Sequence, residues 1–423
     1  MEYTSFLSVY SAIHLSSVGT RVVLKKKING RILDEAVQES MHRYPYFRRK
    51  LKRMGESIQV VPNDKPVVVY EKEESPRKLC SKETNEHLCL IEYRDNEIYF
   101  FISHMLAGGC GIGPWVRTII YQYITKAEKV TLNAEGVWSA KGLPQKDERK
   151  FPKLEELPRV TPLHQYNPAD SFFPIMDYEL TAKCPERYEK RCTCIKVKSD
   201  EFMEFCRSHD GSPSALIAVF LLRSLRKVWT YKEAGVLSVC VAHNSRKDVG
   251  CPESTCDILR SVHIKYTKEM EGFDTKKLCT CARGMIIAQT TCENSIADAR
   301  ADLITLEEIE NQETLEEKVD YALKHPSSVL KIADTGVVSY TGQSDWGELG
   351  QYIEELNPVT GGHLVVEIVY MDGSFYLSFQ EVLKDTLYLE NFLKEFDDEG
   401  ISYKVTGSFI LQFPEVCKDF LNE

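Results

Sequence analysis

No stretch of this chain is apolar enough to cross a bilayer. The longest uninterrupted apolar run, "ALIAVFLL", falls far short of the ~20 residues that a spanning helix needs. The opening "MEYTSFLSVYSAIHLSS" lacks the basic start and long apolar core of an export signal, so a cytoplasmic protein is expected. Basic charge is also in deficit, with 53 Lys and Arg against 63 Asp and Glu and a net charge of −10. The clusters "LKKKI" and "FRRKLKR" are short and broken by apolar residues, which argues against nucleic-acid binding. There are 14 cysteines, but no C-x-x-C or H-x-x-x-H accompanies the C-x-C pairs Cys192/Cys194 and Cys279/Cys281. Zinc spacing is therefore missing, no metal site is expected, and the thiols are read as reduced. Low-complexity tracts and short-period repeats are absent too.

What is present is an ordinary globular balance, 43% hydrophobic and 27% charged over 423 residues. That length exceeds a usual single core and predicts two subdomains. Prolines at 144, 152, 158, 162, 168 and 174 mark a crossover between about 127 and 175. The expected division is an N-terminal subdomain at 1–165 and a C-terminal one at 166–423. No heptad or exposed apolar stripe calls for a partner chain, so a monomer is expected.

Strands and helices alternate in the first half. "TRVVLKKKI" reads as a strand, and Asn29-Gly30 opens a helix whose apolar residues Leu33, Ala36, Val37, Met41 and Tyr44 recur at helical spacing. Pro45 ends it. "HLCLIEY" and "EIYFFIS" form a hairpin about "RDN". In the second half Ser212-Pro213 starts a buried helix, "VLSVCVA" is a buried strand, and residues 274 to 324 are helical and acidic. "GVVSY", "HLVVEIVY" and "SFYLSF" complete the strands, the last two joined at Met371-Asp372-Gly373.

Chemistry concentrates in "FISHMLAGGCGIGPWVRTII", residues 101 to 120. His104 ends a strand. Glycines at 108, 109, 111 and 113 follow, then a helix with Pro114 in its first turn. Glycines let backbone or a ligand approach closely. By the residues alone, His104 is read either as a base held on rigid elements or as a buried histidine beside a tight turn. Cys110 adds the alternative of a thiolate nucleophile.

This segment resembles the H-x-x-x-D-G motif of the CoA-dependent acyltransferase superfamily, which includes chloramphenicol acetyltransferase, nonribosomal condensation domains and the alcohol acetyltransferases. Its alcohol acetyltransferase-like branch is the most similar. His104 and Gly109 match the family's His and Gly, while Gly108 stands where the family has Asp. "AVQESMHRYPYFRRKL", "GSPSALIAVFLLRSL", "VAHNSRKDVGCPESTCD" and "SYTGQSDWGEL" resemble further family stretches, in the family's order.

The resemblance implies a mixed α/β fold of two chloramphenicol acetyltransferase-like subdomains with a tunnel between them. It implies an acyltransferase in which His104 is the general base. The co-substrate would be acyl-CoA, with no resident cofactor, and the acceptor a small or lipophilic alcohol or amine. Ser339, Tyr340 and Thr341, on the strand expected to line the channel, are the candidate oxyanion donors. In relatives the missing aspartate pairs with an arginine, whose position Arg246 matches. Its guanidinium is then expected on water or on another acid such as Asp248, Asp257 or Asp345, and a positive φ is expected at Gly108. The alternative is a degenerate member that keeps the scaffold for binding and has lost catalysis.

Overall fold

The computed structural model describes residues 17–74, 77–163, 189–232, 234–324, 336–340, 346–382 and 386–421. The expected crossover at 127–175 is partly outside that set, as is Thr341.

The first lobe begins with β1 (Ser17–Leu24) and α1 (Gly30–Met41). Asn29 caps α1, its side chain accepting from the Ile32 amide, which satisfies one of the amides left over at a helix start. Leu33, Ala36, Val37 and Met41 are buried, the stripe that the helical spacing predicts. β2 (Arg49–Met54) and β3 (Ser57–Pro62) form a separate hairpin. β4 (Val69–Glu71), β5 (Cys89–Arg94) and β6 (Glu97–Ser103) join β1 in a larger sheet. β5 and β6 turn through Asp95, whose φ of 51° is the left-handed value a tight hairpin needs. β6 is buried from Ile98 to Ser103, so its end is a rigid platform for the residue that follows.

That residue is His104, and α2 (Gly109–Glu128) begins five positions later. The helix starts earlier than its proline suggests, because Pro114 lies inside it and beyond the first turn. Proline there removes one i→i−4 bond and releases the Cys110 carbonyl from the ladder. The helix is anchored by Trp115, fully buried between Phe47 and Phe100 at ring-centroid distances of 5.5 and 5.9 Å.

The second lobe is built on a sheet of order β14-β7-β13-β12-β10-β8-β9. Its strands are β7 (Glu189–Lys198), β8 (Leu237–Asn244), β9 (Leu259–Tyr266), β10 (Gly336–Tyr340), β12 (Leu364–Met371), β13 (Ser374–Glu381) and β14 (Tyr403–Gln412). The missing number, β11 (Ile353–Thr360), crosses back and pairs with β1 at the edge of the first sheet. Each sheet is thus tied to the other by one chain passing between them.

Two faces of the second sheet differ because side chains alternate along a strand. Val366, Ile368, Leu377 and Phe379 point to one side and form a core with α4 (Pro213–Val228), α5 (Thr275–Gln289) and α8 (Leu387–Asp398). Ser212 caps α4 at the Ala215 amide, and Pro213 takes the first helical position. On the other side Val369, Tyr376 and Cys192 join the core of the first lobe. α3 (Ser199–Ser208), α6 (Cys292–Glu310) and α7 (Leu315–Lys324) complete the lobe. Among the described residues no helix is long and apolar enough to cross a membrane.

Candidate active site

His104 lies in the turn between β6 and α2. The loop that joins β8 to β9 in the second lobe reaches across to it. His104 Nδ1 stands 3.2 Å from Asp257 Oδ2, and their side chains are 17% and 8% exposed. The contact is a close approach across the lobes: Nδ1 is buried and forms no hydrogen bond with a described residue.

The glycines explain why the loop can come so close. A Cβ on Gly108 would lie 2.3 Å from Asp257 Oδ1 and 3.0 Å from Cγ, and one on Gly111 would lie 2.0 Å from the Thr255 carbonyl oxygen. Both contacts are closer than real Cβ atoms come, so these two positions are the seat of the 254–257 loop. Gly108 has φ −86° and ψ 179°, an ordinary extended conformation. The expectation of a positive φ is therefore corrected: glycine is required by close packing and not by backbone conformation.

Two arginines hold the loop in that seat. Arg149 donates to the Leu106 carbonyl, in the His104 turn, and to Thr255 Oγ1. Arg246, 3% exposed, donates to the carbonyls of Ser254, at 2.7 Å, and of Cys256, and to Asn244 Oδ1. The expectation of an acidic partner for Arg246 is corrected by these bonds. Of the acids considered, Asp257 faces His104, Asp248 accepts from Ser295 and lies near His243, and Asp345 is outside the described residues. Backbone carbonyls take the guanidinium because the loop closes round it. A further clamp comes from Glu148, whose carbonyl accepts from the Thr255 amide and hydroxyl while its carboxylate makes a buried bidentate pair with Arg43.

The oxyanion candidates separate by strand alternation. Ser339 stands beside Glu367 in the parallel β10–β12 register, on the face turned toward the first lobe. Tyr340, one residue on, packs with Phe375 against the second lobe's core and so is removed from the candidates. Thr341 is outside the described residues. Gly109 is the first residue of α2 and lines a cavity.

That cavity, about 520 Å³, lies between the lobes and is bordered by Gly109, Cys110, Pro114, Trp138, Pro358 and Glu367. A second, of about 870 Å³, is bordered by Leu106, Arg149 and Cys256 among others. Chain neighbours of His104 and Asp257 border these cavities, Gly109 and Cys110 the first, Leu106 and Cys256 the second. Burial pushes the Cys110 thiol up, and the nearby charge of Arg246 opposes that only in part. A standing thiolate at Cys110 is thereby disfavoured.

Sequence reading named Asp257 only as a candidate partner of Arg246, not of His104, and missed Glu367. "STCD" lay within a quoted family stretch, yet nothing in its letters pairs it with His104 across 153 positions, counted from 104 to 257. Glu367 did carry a signal: a lone carboxylate in the otherwise apolar "HLVVEIVY" is a buried charge that needs a reason.

No family model matches the chain, and no curated protein matches it. Solved structures do match over nearly the whole length. The chain is similar to F. sporotrichioides TRI101 complexed with coenzyme A and T-2, at 10% identity and TM-score 0.55, covering 94% of this chain and 98% of that one. The epimerization domain from the third module of tyrocidine synthetase B is similar at 11% identity and TM-score 0.56, covering 91% and 90%. TRI3 trichothecene 15-O-acetyltransferase from Fusarium sporotrichioides is similar at 9% identity and TM-score 0.50, covering 94% and 93%. The fold is thus the two-lobed one that acyltransferases and nonribosomal epimerization domains share.

Proposed function

We propose that the protein is a CoA-dependent acyltransferase that moves an acyl group, in the first instance acetyl, from a thioester to a hydroxyl or amine. The observation that carries this reading is His104 Nδ1 at 3.2 Å from Asp257 Oδ2, in a turn and loop whose neighbouring residues border two cavities. His104 Nε2 takes the proton of the acceptor as its oxygen or nitrogen attacks the thioester carbon. A tetrahedral oxyanion forms, the C–S bond breaks, and the imidazolium returns its proton to the departing thiolate. Both substrates are present together, and the two cavities give them separate approaches. Asp257, beside the ring, stabilises the imidazolium.

Support also comes from the neighbour solved with coenzyme A. Against the degenerate alternative stands the seat at Gly108. The aspartate missing from that position is accompanied by a second carboxylate, Asp257, in the same space and directed at the base. The acceptor is a small or lipophilic alcohol or amine, and the protein works as a cytoplasmic monomer. Sedimentation equilibrium at the mass of one chain, 48.5 kDa, checks the monomer, and a concentration-independent dimer would contradict it.

Purified protein with acetyl-CoA and a panel of alcohols and amines is expected to release free thiol. No release above the uncatalysed rate on any acceptor would count against the reading. Cys110→Ala is expected to keep turnover within a few-fold, because its thiol is pushed up and the proton passes through His104. Mass spectrometry that traps an acyl group on Cys110 would replace the ternary complex with a two-step route.

A further inference from the structure

Glu367 is a carboxyl group in an improbable place. It sits in the middle of β12 and is 4% exposed, yet it borders the 520 Å³ cavity beside Cys110. The neighbouring strands put polar side chains on both sides of it: Ser339 on β10 and Ser378 on β13 are its register partners. Glu367 Oε2 is buried with no hydrogen-bond partner among the described residues. A buried oxygen with no protein partner costs stability. Such an atom at the wall of a cavity is explained by something that enters the cavity.

Building on the acyl-transfer reading, we infer that Glu367, as a neutral carboxylic acid, is the donor that meets the reacting carbonyl oxygen. Ser339 is its register neighbour on β10, and the acid's hydrogen belongs on Oε2, the oxygen left open. A preorganised donor is effective because it needs no rearrangement as charge develops, and an apolar site that keeps a carboxylic acid neutral is a known way to supply one.

The surroundings favour that protonation state near neutral pH. Burial pushes the Glu367 carboxyl up to about 7, while Ser339, Lys190 and His104 pull it down. The charged and titratable groups facing it are Lys190 from β7, His104 from the β6–α2 turn, and Cys110 from α2 with Arg246 near it. Lys190 does not neutralise it by contact, since its Nζ is engaged by the Thr360 carbonyl at 2.6 Å, and burial holds the amine down at about 8. During the reaction Glu367 gives a hydrogen bond and keeps its proton. The acceptor's proton travels to His104 and then to the thiolate, so the acid ends as it began.

Glutamine keeps a donor of the same shape but has no charge to gain, whereas leucine has no donor. The test is kcat and KM of wild type, Glu367→Gln and Glu367→Leu in the thiol-release assay from about pH 5 to about pH 9. Glu367→Leu is expected to lose about 10²-fold in kcat with KM within a few-fold. Glu367→Gln is expected to stay within about tenfold of wild type. Wild-type kcat should fall as pH rises through about 7, as Glu367 ionises, and that fall should be gone in Glu367→Gln. Any of three results with an active wild type overturns this inference alone: Glu367→Leu at the wild-type rate, Glu367→Gln as impaired as Glu367→Leu, or an unchanged alkaline fall in Glu367→Gln. An inactive wild type overturns the acyl-transfer reading and this inference with it. Circular dichroism and a cooperative melt on each variant identify any that has failed to fold, and the near-isosteric glutamine variant is the one that decides.

Discussion

His104→Ala is expected to lower kcat for acyl transfer by about 10²- to 10⁴-fold, the usual worth of a positioned general base, with the fold intact. The side chain sits in a turn, 17% exposed, outside the apolar cores of either lobe. Its loss removes the proton acceptor without opening a large cavity. Exogenous imidazole should restore part of the rate if the vacated space admits it, a response that a structural defect would not give. Turnover within a few-fold of wild type would overturn the base assignment.

The second large effect is expected at Gly108. Gly108→Ala puts a methyl 2.3 Å from Asp257 Oδ1, and the neighbour that must give is the carboxylate facing the base. Overpacking of this kind costs about 1–3 kcal/mol. A displacement of about 1 Å at a catalytic group can cost about 10²-fold in rate. Glycine's backbone freedom adds nothing here, since φ is −86°, so the effect isolates packing. Truncating the obstacle should relieve the strain: Gly108→Ala with Asp257→Gly is expected to cost less than the sum of the singles, by about 0.5–3 kcal/mol. Chemical denaturation of the four proteins measures the cycle. Additive costs would mean that residue 257 does not fill the space at Gly108 in solution.

These two positions show how the sequence and the fold divide the work. Local signals were legible where local chemistry decides the outcome. Asn29 and Ser212 cap their helices because a short polar side chain can reach the free amides two or three residues on. The hairpin at Asp372-Gly373 forms where both turn residues take positive φ, 47° and 69°. β6 and β10 end at Ser103 and Tyr340, as their apolar patterns indicate. The start of α2 was misplaced because Pro114 is tolerated inside a helix whose first turn is packed against another segment.

Strands with weak local patterns escaped. β11 contains Glu354, Glu355 and Pro358 and is held by its pairing with β1. β14 has exposed residues along most of its length and is held at the sheet edge by β7. Neither carries its own reason to be a strand.

The sequence by itself determined the strand, histidine, glycine-rich turn and helix that present His104, because those features depend on neighbours a few residues away. Only the tertiary structure decided that Asp257 lies beside the imidazole, that Gly108 and Gly111 make room for its loop, and that Ser339 and Glu367 share one face while Tyr340 turns to the other. Each of those facts depends on a register between strands or on a clearance of a few tenths of an ångström between distant segments. The chain records such distances only in the residues that must be small, such as Gly108, or that would be costly to bury without purpose, such as Glu367.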